Sequence, residues 1–193
     1  AIETAKGSGN INITNGVALS GTGAKLKSAA EALDTIHATT TATVTDTSYT
    51  VAQLKAINDK VGGAITLSTT NVNLTGSAAN LKDALAGSFT SAHDGTAKVT
   101  GSYTVSQLKA INAGTGGTIN LANRSIALTG SAANVALALA GNFTGGQTHT
   151  GVVTISDNGT TVNATDITAI ETAKGSGNIN ITNGVALSGT GAK

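Results

Sequence analysis

Residues 1–25 of this chain, AIETAKGSGNINITNGVALSGTGAK, return without a change at 169–193, an offset of 168. Chance does not produce identity over that length. Either near-identical 168-residue blocks follow one another, or one end has been duplicated by design. A sequence that starts in mid-pattern fits the array. Such a chain is constrained first by how one copy meets the next, because stacked repeats form their core at their junctions.

A shorter period lies inside the block. YTVAQLKAIN at 49–58 matches YTVSQLKAIN at 103–112 in nine of ten positions, at an offset of 54. LTGSAAN at 74–80 recurs at 128–134, and ALAG at 84–87 recurs at 138–141, with the same offset. The chain divides into a repeat unit at 49–102, a second at 103–159, and a third that is split. The later part of that third unit is 1–48, and the first part of its next occurrence is 160–193. The third unit also carries a longer connection, ETAKGSGNI at 171–179, and a TNG corner at 182–184.

The unit at 49–102 predicts its own elements. Thr50 can cap a helix whose Val51, Leu54 and Ile57 lie on one face, ending before Gly62 and Gly63. AITLS at 64–68 and VNLTG at 72–76 alternate as strands, presenting Ile65 and Leu67, then Val72 and Leu74. Ser77 caps a second helix with a stripe of Leu81, Ala84 and Leu85, and Gly87 stands where a C-cap belongs. A last strand is expected near 97–100. The expected core is therefore Val51, Leu54, Ile57, Ile65, Leu67, Val72, Leu74, Leu81 and Leu85, with Leu108, Ile111, Ile119, Leu121 and Leu128 as counterparts. Helices this short are marginal alone, since ~12–15 residues are needed even for good helix formers. The fold expected is an α/β repeat solenoid, short helices alternating with short strands in stacked 54–57-residue units. A string of small separate α/β domains is the alternative, but no Pro-rich or charged linker marks the joins.

Composition narrows the function. Two Tyr, two Phe and no Trp or Met leave the core to Ala, Val, Ile and Leu, which suits thin layers repeated many times. Eleven Lys and Arg are scattered among ten Asp and Glu for a net charge of +1, so no basic face invites nucleic acid. No apolar run approaches the ~18 residues that signal a membrane span. No Cys is present, which removes disulfide scaffolds and Cys-based metal sites. Neither an initiator Met nor a secretory leader is recognisable, as expected of a piece of a longer chain.

Few residues invite chemistry. GSGN at 7–10 and GTGAK at 21–25 lack the glycine spacing and Lys-Ser/Thr ending of a phosphate loop, so turn and cap roles are expected. His37, His93 and His149 occur once per unit, but His93 lies four positions after Phe89 and His149 six after Phe143. That broken register argues for solvated loops over a metal ladder. Asp46, Asp94 and Asp157 are the candidates for a weak calcium contact. Each turn offers one carboxylate where calcium takes ~6–8 oxygens, so the competing expectation is an Asp bonding its own turn backbone. Otherwise no cofactor is expected. Threonine clusters at 39–45 and 66–70 suit exposed strands, and on a flat face they could also contact sugar.

The phrases TVAQLKAIN at 50–58, LTGSAANL at 74–81 and ALAG at 84–87 resemble repeats in very large surface proteins of aquatic bacteria, cyanobacteria included. The resemblance implies secretion, an extracellular or cell-surface location, and a mechanical or adhesive task. It supplies no catalytic residues. The function expected is a structural repeat segment of an extracellular filament, stalk or surface layer, with further copies of the repeat as partners. The alternative is an adhesin-like repeat that contacts polysaccharide, mineral or ice through Thr- and Asn-rich surfaces. An enzyme is not expected, because no nucleophile, base and orienting acid recur together.

Overall fold

The computed structural model describes residues 9–159 and 161–189. Its local structure starts from caps. Helix α2 (Val51–Asn58) opens on a reciprocal capping box, with Gln53 N–H donating to Thr50 Oγ1 at 3.3 Å and Thr50 N–H to Gln53 Oε1 at 2.8 Å. Helix α4 (Val105–Gly114) repeats the box with Thr104 and Gln107. Ser77 and Ser131 cap α3 (Ala78–Leu85) and α5 (Ala132–Leu139). Thr22 caps α1 (Gly23–Ala32), and Asn163 caps α6 (Ala164–Ala173). All six helices among the described residues are short, so burial of one face has to hold each in place. That face is Val51, Leu54 and Ile57 on α2, and Ala78, Leu81, Ala84 and Leu85 on α3. Each helix packs on the one before and the one after it in the chain, from α1 to α6.

Between helices the chain runs through short strands, and every strand pair described is parallel. β1 (Asn12–Ile13) pairs with β3 (Thr35–Ile36), and β2 (Ala18–Gly21) with β4 (Thr41–Val44), which pairs in turn with β5 (Ile65–Leu67). The next sheet is β6 (Leu74–Ser77), β7 (Ala97–Thr100) and β8 (Ile119–Leu121). The third joins β9 (Leu128–Gly130), β10 (Val153–Ile155) and β12 (Ile179–Ile181). A last pair is β11 (Thr161–Asn163) with β13 (Ala186–Ser188). The molecule is thus mixed α/β, with six helices and several small parallel sheets among the described residues and no closed barrel.

The register shows why the sheets are small. Along one column Leu74 lies opposite Ala97, and Ala97 opposite Ile119, so the strand column advances by 23 and then 22 positions. The helices α2 to α5 begin at 51, 78, 105 and 132, a step of 27. The strand column therefore slips relative to the helices. β6 runs straight into α3, β7 stops short of α4, and β8 already follows α4. The packing distances differ too, since neighbouring strands sit ~4.8 Å apart and packed helices ~8–10 Å. No sheet among the described residues exceeds three strands, and two of the three-stranded columns continue only as single bridges, Ile65 to Phe89 and Ile119 to Phe143.

Three pairings cross the boundaries drawn from the repeats. β4 meets β5 across 48/49, β7 meets β8 across 102/103, and β10 meets β12 across 159/160. The buried apolar residues form one continuous cluster from Leu26 to Ile170. Inward positions alternate along the strands, as in Ala42 and Val44 against Ile65 and Leu67.

Thirteen of the fourteen expected core residues are buried, and Val72 is half-buried. The strand expected from 72 begins at Leu74, which leaves Val72 in the loop before it. Gly87 departs from expectation as well. It has no positive φ, and α3 ends on Ala86 in the right-handed helical region. Its reason is space, because a Cβ there would come within 2.7 Å of Asn58 Oδ1.

Candidate functional site

The most chemically distinctive region is a buried polar seam beside the strand columns. His93 and His149, expected in solvated loops, are instead almost wholly buried. His93 Nε2 donates to Val72 O at 2.7 Å, on the preceding turn of chain, so Nε2 carries the hydrogen. Its Nδ1 faces Thr115 Oγ1 at 3.4 Å, and the Tyr49 ring meets the imidazole edge-on with centroids 6.5 Å apart. Tyr49 Oη in turn donates to Thr69 O at 2.7 Å.

The same arrangement returns one unit later. His149 Nε2 donates to Ile126 O at 2.8 Å, the Tyr103 ring lies 6.4 Å away, and Tyr103 Oη donates to Asn123 O at 2.9 Å. The longer spacing between Phe143 and His149 is accommodated at the 3₁₀ turn Thr144–Gly146, where Gly145 and Gly146 take positive φ of 63° and 69°. The broken register in sequence is therefore an insertion in a turn, and the two histidines are structurally equivalent.

One position separates the two copies. Thr115 bridges to His93, whereas Lys174 bridges to His149. Lys174 is buried, and its ammonium is held by three backbone carbonyls, Ser176 O at 2.6 Å, Gly177 O at 2.9 Å and Gly151 O at 3.3 Å. Among the described residues, His149 Nδ1 is a buried side-chain atom with no hydrogen-bond partner. Burial pushes both imidazoles below the ordinary histidine range, and the Lys174 charge pushes His149 further in that direction. Burial also pushes the Tyr49 and Tyr103 hydroxyls up to about 12, with Asp94 adding to the effect on Tyr49. These groups are locked neutral against backbone carbonyls, an arrangement that holds successive loops together. His37 is exposed, with Nδ1 2.9 Å from Thr39 Oγ1.

The aspartates take a role that spans successive turns. Asp46 Oδ2 accepts from Gly23 N–H at 2.6 Å, and Asp157 Oδ2 accepts from Ala132 N–H at 2.7 Å. Each carboxylate thus reaches back over one turn of chain to the N-terminus of the preceding helix, where a negative charge is favoured. Neither bonds its own turn as expected, and Asp94 is exposed. Among the described residues no three His, Asp or Glu gather into a group that could hold a metal ion. GTGAK forms the junction of β2 and α1, where the Asp46 carboxylate already occupies the helix end. Gly7 and Ser8 of GSGN lie outside the described residues.

On the surface, the register aligns hydroxyls that the sequence period hides. Ser20 stands beside Thr43 and Thr43 beside Thr66, and the Thr90 hydroxyl donates to Thr66 Oγ1 at 3.2 Å. An open groove of about 450 Å³ between α3 and α4 is lined by Leu85, Gly87, Phe89 and Ala110, with Lys82 its one charged lining side chain. No helix among the described residues is long and apolar enough to cross a membrane.

No family model, curated protein or solved structure matches this chain.

Proposed function

We propose that this chain is a structural repeat segment of an extracellular or cell-surface filament, stalk or surface layer, built as an α/β solenoid. Stacking of successive turns supplies length and stiffness, and the role is non-catalytic. The extracellular location follows the resemblance to bacterial surface repeats. The observation that carries the reading is the reach of the bonds. Side-chain hydrogen bonds between distant positions join residues 20 apart, as in Tyr49 to Thr69, up to 27 apart, as in Thr182 to Ile155. Contacts that reach only the adjacent turn make a stack that grows in one dimension. Strand pairing across each unit boundary favours that stack over separate domains.

Small-angle scattering tests this on the chain and on a version extended by one 168-residue block. The maximum dimension should nearly double. A compact domain of doubled length would grow only about 1.3-fold, and that result would overturn the reading.

A second reading, adhesion to polysaccharide, draws support from the hydroxyl ladder of Ser20, Thr43, Thr66 and Thr90. Thr43→Val with Thr66→Val should then abolish glycan-array binding while leaving the melting temperature within about a degree of its starting value, as surface substitutions usually change stability little. Binding that survives the double substitution removes this reading.

A further inference from the structure

Lys27, Lys55, Lys82 and Lys109 stand at one position on successive helices, each five residues after the cap of α1 to α4. Three of them face a carboxylate. Lys27 pairs with Glu31 at 2.6 Å, Lys55 with Asp59 at 2.7 Å and Asp83 at 3.3 Å, and Lys82 with Asp83 at 3.2 Å. Among the described residues, no carboxylate pairs with Lys109. The 54-residue offset supplies the reason, since it places Ala113 and Leu137 where Asp59 and Asp83 stand around Lys55. Lys109 Nζ donates instead to Asn134 Oδ1 at 2.8 Å.

That bond lies in a cleft of about 420 Å³ between the start of α4 and the turn from β9 into α5. Its lining is Val105, Ser106, Lys109, Thr129, Gly130 and Asn134, and its volume is in the range of small-molecule sites. Ser106, Thr129 and Asn134 are exposed and Lys109 is half-buried, so the cleft is open to solvent. Among the described residues, the Ser106 and Thr129 hydroxyls and Asn134 Nδ2 make no protein hydrogen bond. Four polar groups with unused capacity therefore line one cleft, and one of them is a cation. The acid at this end of α5, Asp157, is committed elsewhere, with Oδ2 accepting from Ala132 N–H at 2.7 Å.

We propose that this cleft binds a sugar bearing one carboxylate, the uronic-acid unit of an acidic polysaccharide. The carboxylate accepts from Lys109 Nζ and Asn134 Nδ2, and a hydrogen bond between opposite charges is stronger than a neutral one. The ring hydroxyls meet Ser106 and Thr129, which both donate and accept. One cation without a counter-charge matches one anion. The equivalent place in the preceding unit does not serve, because Lys55 is already neutralised by two aspartates and Ala52 replaces Ser106. The site shares no residue with the hydroxyl ladder and requires no stalk or filament, so it is independent of both readings above.

Calorimetric titration of the full chain with a galacturonic acid trimer tests this. One site should appear, and added salt should weaken it. The methyl ester of the trimer keeps the ring hydroxyls and loses the charge, so it should bind about tenfold more weakly or worse. Lys109→Gln should weaken the acid trimer by the same factor without moving the melting temperature, and Lys55→Gln should leave binding as it was. Ala113→Asp with Leu137→Asp, both at exposed positions, restores the acids of the preceding unit. That pair should abolish binding while Lys109 is still present. The inference is overturned if the trimer does not bind, if Lys109→Gln binds it unchanged, or if the ester binds as tightly. A sulfated trimer that binds equally well overturns the assignment to a carboxylate.

Discussion

The side-chain amide of Asn58 donates to the carbonyl of Asp83 at 2.8 Å, tying the end of one helix to the end of the next. Asn112 repeats the bond to Leu137 O at 3.0 Å. Gly87 and Gly141 leave room for these amides, since a Cβ at either would come within 3.0 Å of the Asn oxygen. Removing the bond with Asn58→Ala should cost about 1–2 kcal/mol in chemical denaturation. Gly87→Ala should destabilise by crowding Asn58, and the double variant should lose less than the two single variants combined. Strict additivity would show that the glycine serves some other purpose.

Leu81 tests the shared core. It is fully buried on α3, between α2 and α4. Leu81→Ala should cost about 2–5 kcal/mol, and Leu81→Asp should cost more, because a buried charge without a partner is strongly unfavourable. Calorimetry should show the whole chain losing cooperativity. An unchanged melting profile would remove Leu81 from the core.

The caps supplied from a neighbouring turn give a third test. Asp46→Ala and Asp157→Ala each remove the acceptor for the first N–H of a helix, at Gly23 and Ala132. A loss of about 0.5–2 kcal/mol is expected from each. Addition of calcium or of a chelator should leave the melting temperature where it was. A calcium-dependent rise that Asp46→Ala abolishes would restore the metal reading of these carboxylates.

The pH dependence follows from the buried seam. His93 and His149 titrate below the unfolded value, so the unfolded chain binds protons first as pH falls. Their contribution is complete above the ordinary histidine pKa of about 6.5 and is lost progressively below it. Melting temperature should therefore fall on acidification from neutral pH. His93→Gln together with His149→Gln, which keep a donor for the Val72 and Ile126 carbonyls, should flatten that slope. The tyrosines work in the opposite sense. Their hydroxyls ionise near 12 in the fold, so stability present below the unfolded value of about 10 is lost as pH climbs toward 12. A melting temperature independent of pH from 5 to 7 would mean that the imidazoles are solvated.

The local elements were legible in the sequence because their causes are local. Thr50 and Ser77 cap as their positions suggest, and Ile65 and Leu67 face inward by simple alternation. What escaped is set by neighbours on adjacent turns. The repeat period of 54 relates equivalent positions, but the side chains that touch lie 20–27 apart. His93 looks solvated beside Ser91 and Asp94, and Tyr49, Val72 and Thr115 from other parts of the chain close around it. Asp46 reads as a turn residue until the helix at Gly23 is placed beside it. Comparing Thr43 with its equivalents in the other units hides a ladder that runs through Ser20 and Thr66 instead. Gly87 carries no signal of its own, because its purpose is to make space for Asn58.

A turn of this chain is ordered by the turns on either side of it. Circular dichroism of isolated residues 49–102 tests it most directly. Without the strands at Thr41–Val44 and Ile119–Leu121 to cover it, the segment should show little helix and no cooperative melting. A compact, monomeric segment that unfolds in one sharp transition would contradict stacking and make each unit a domain in its own right.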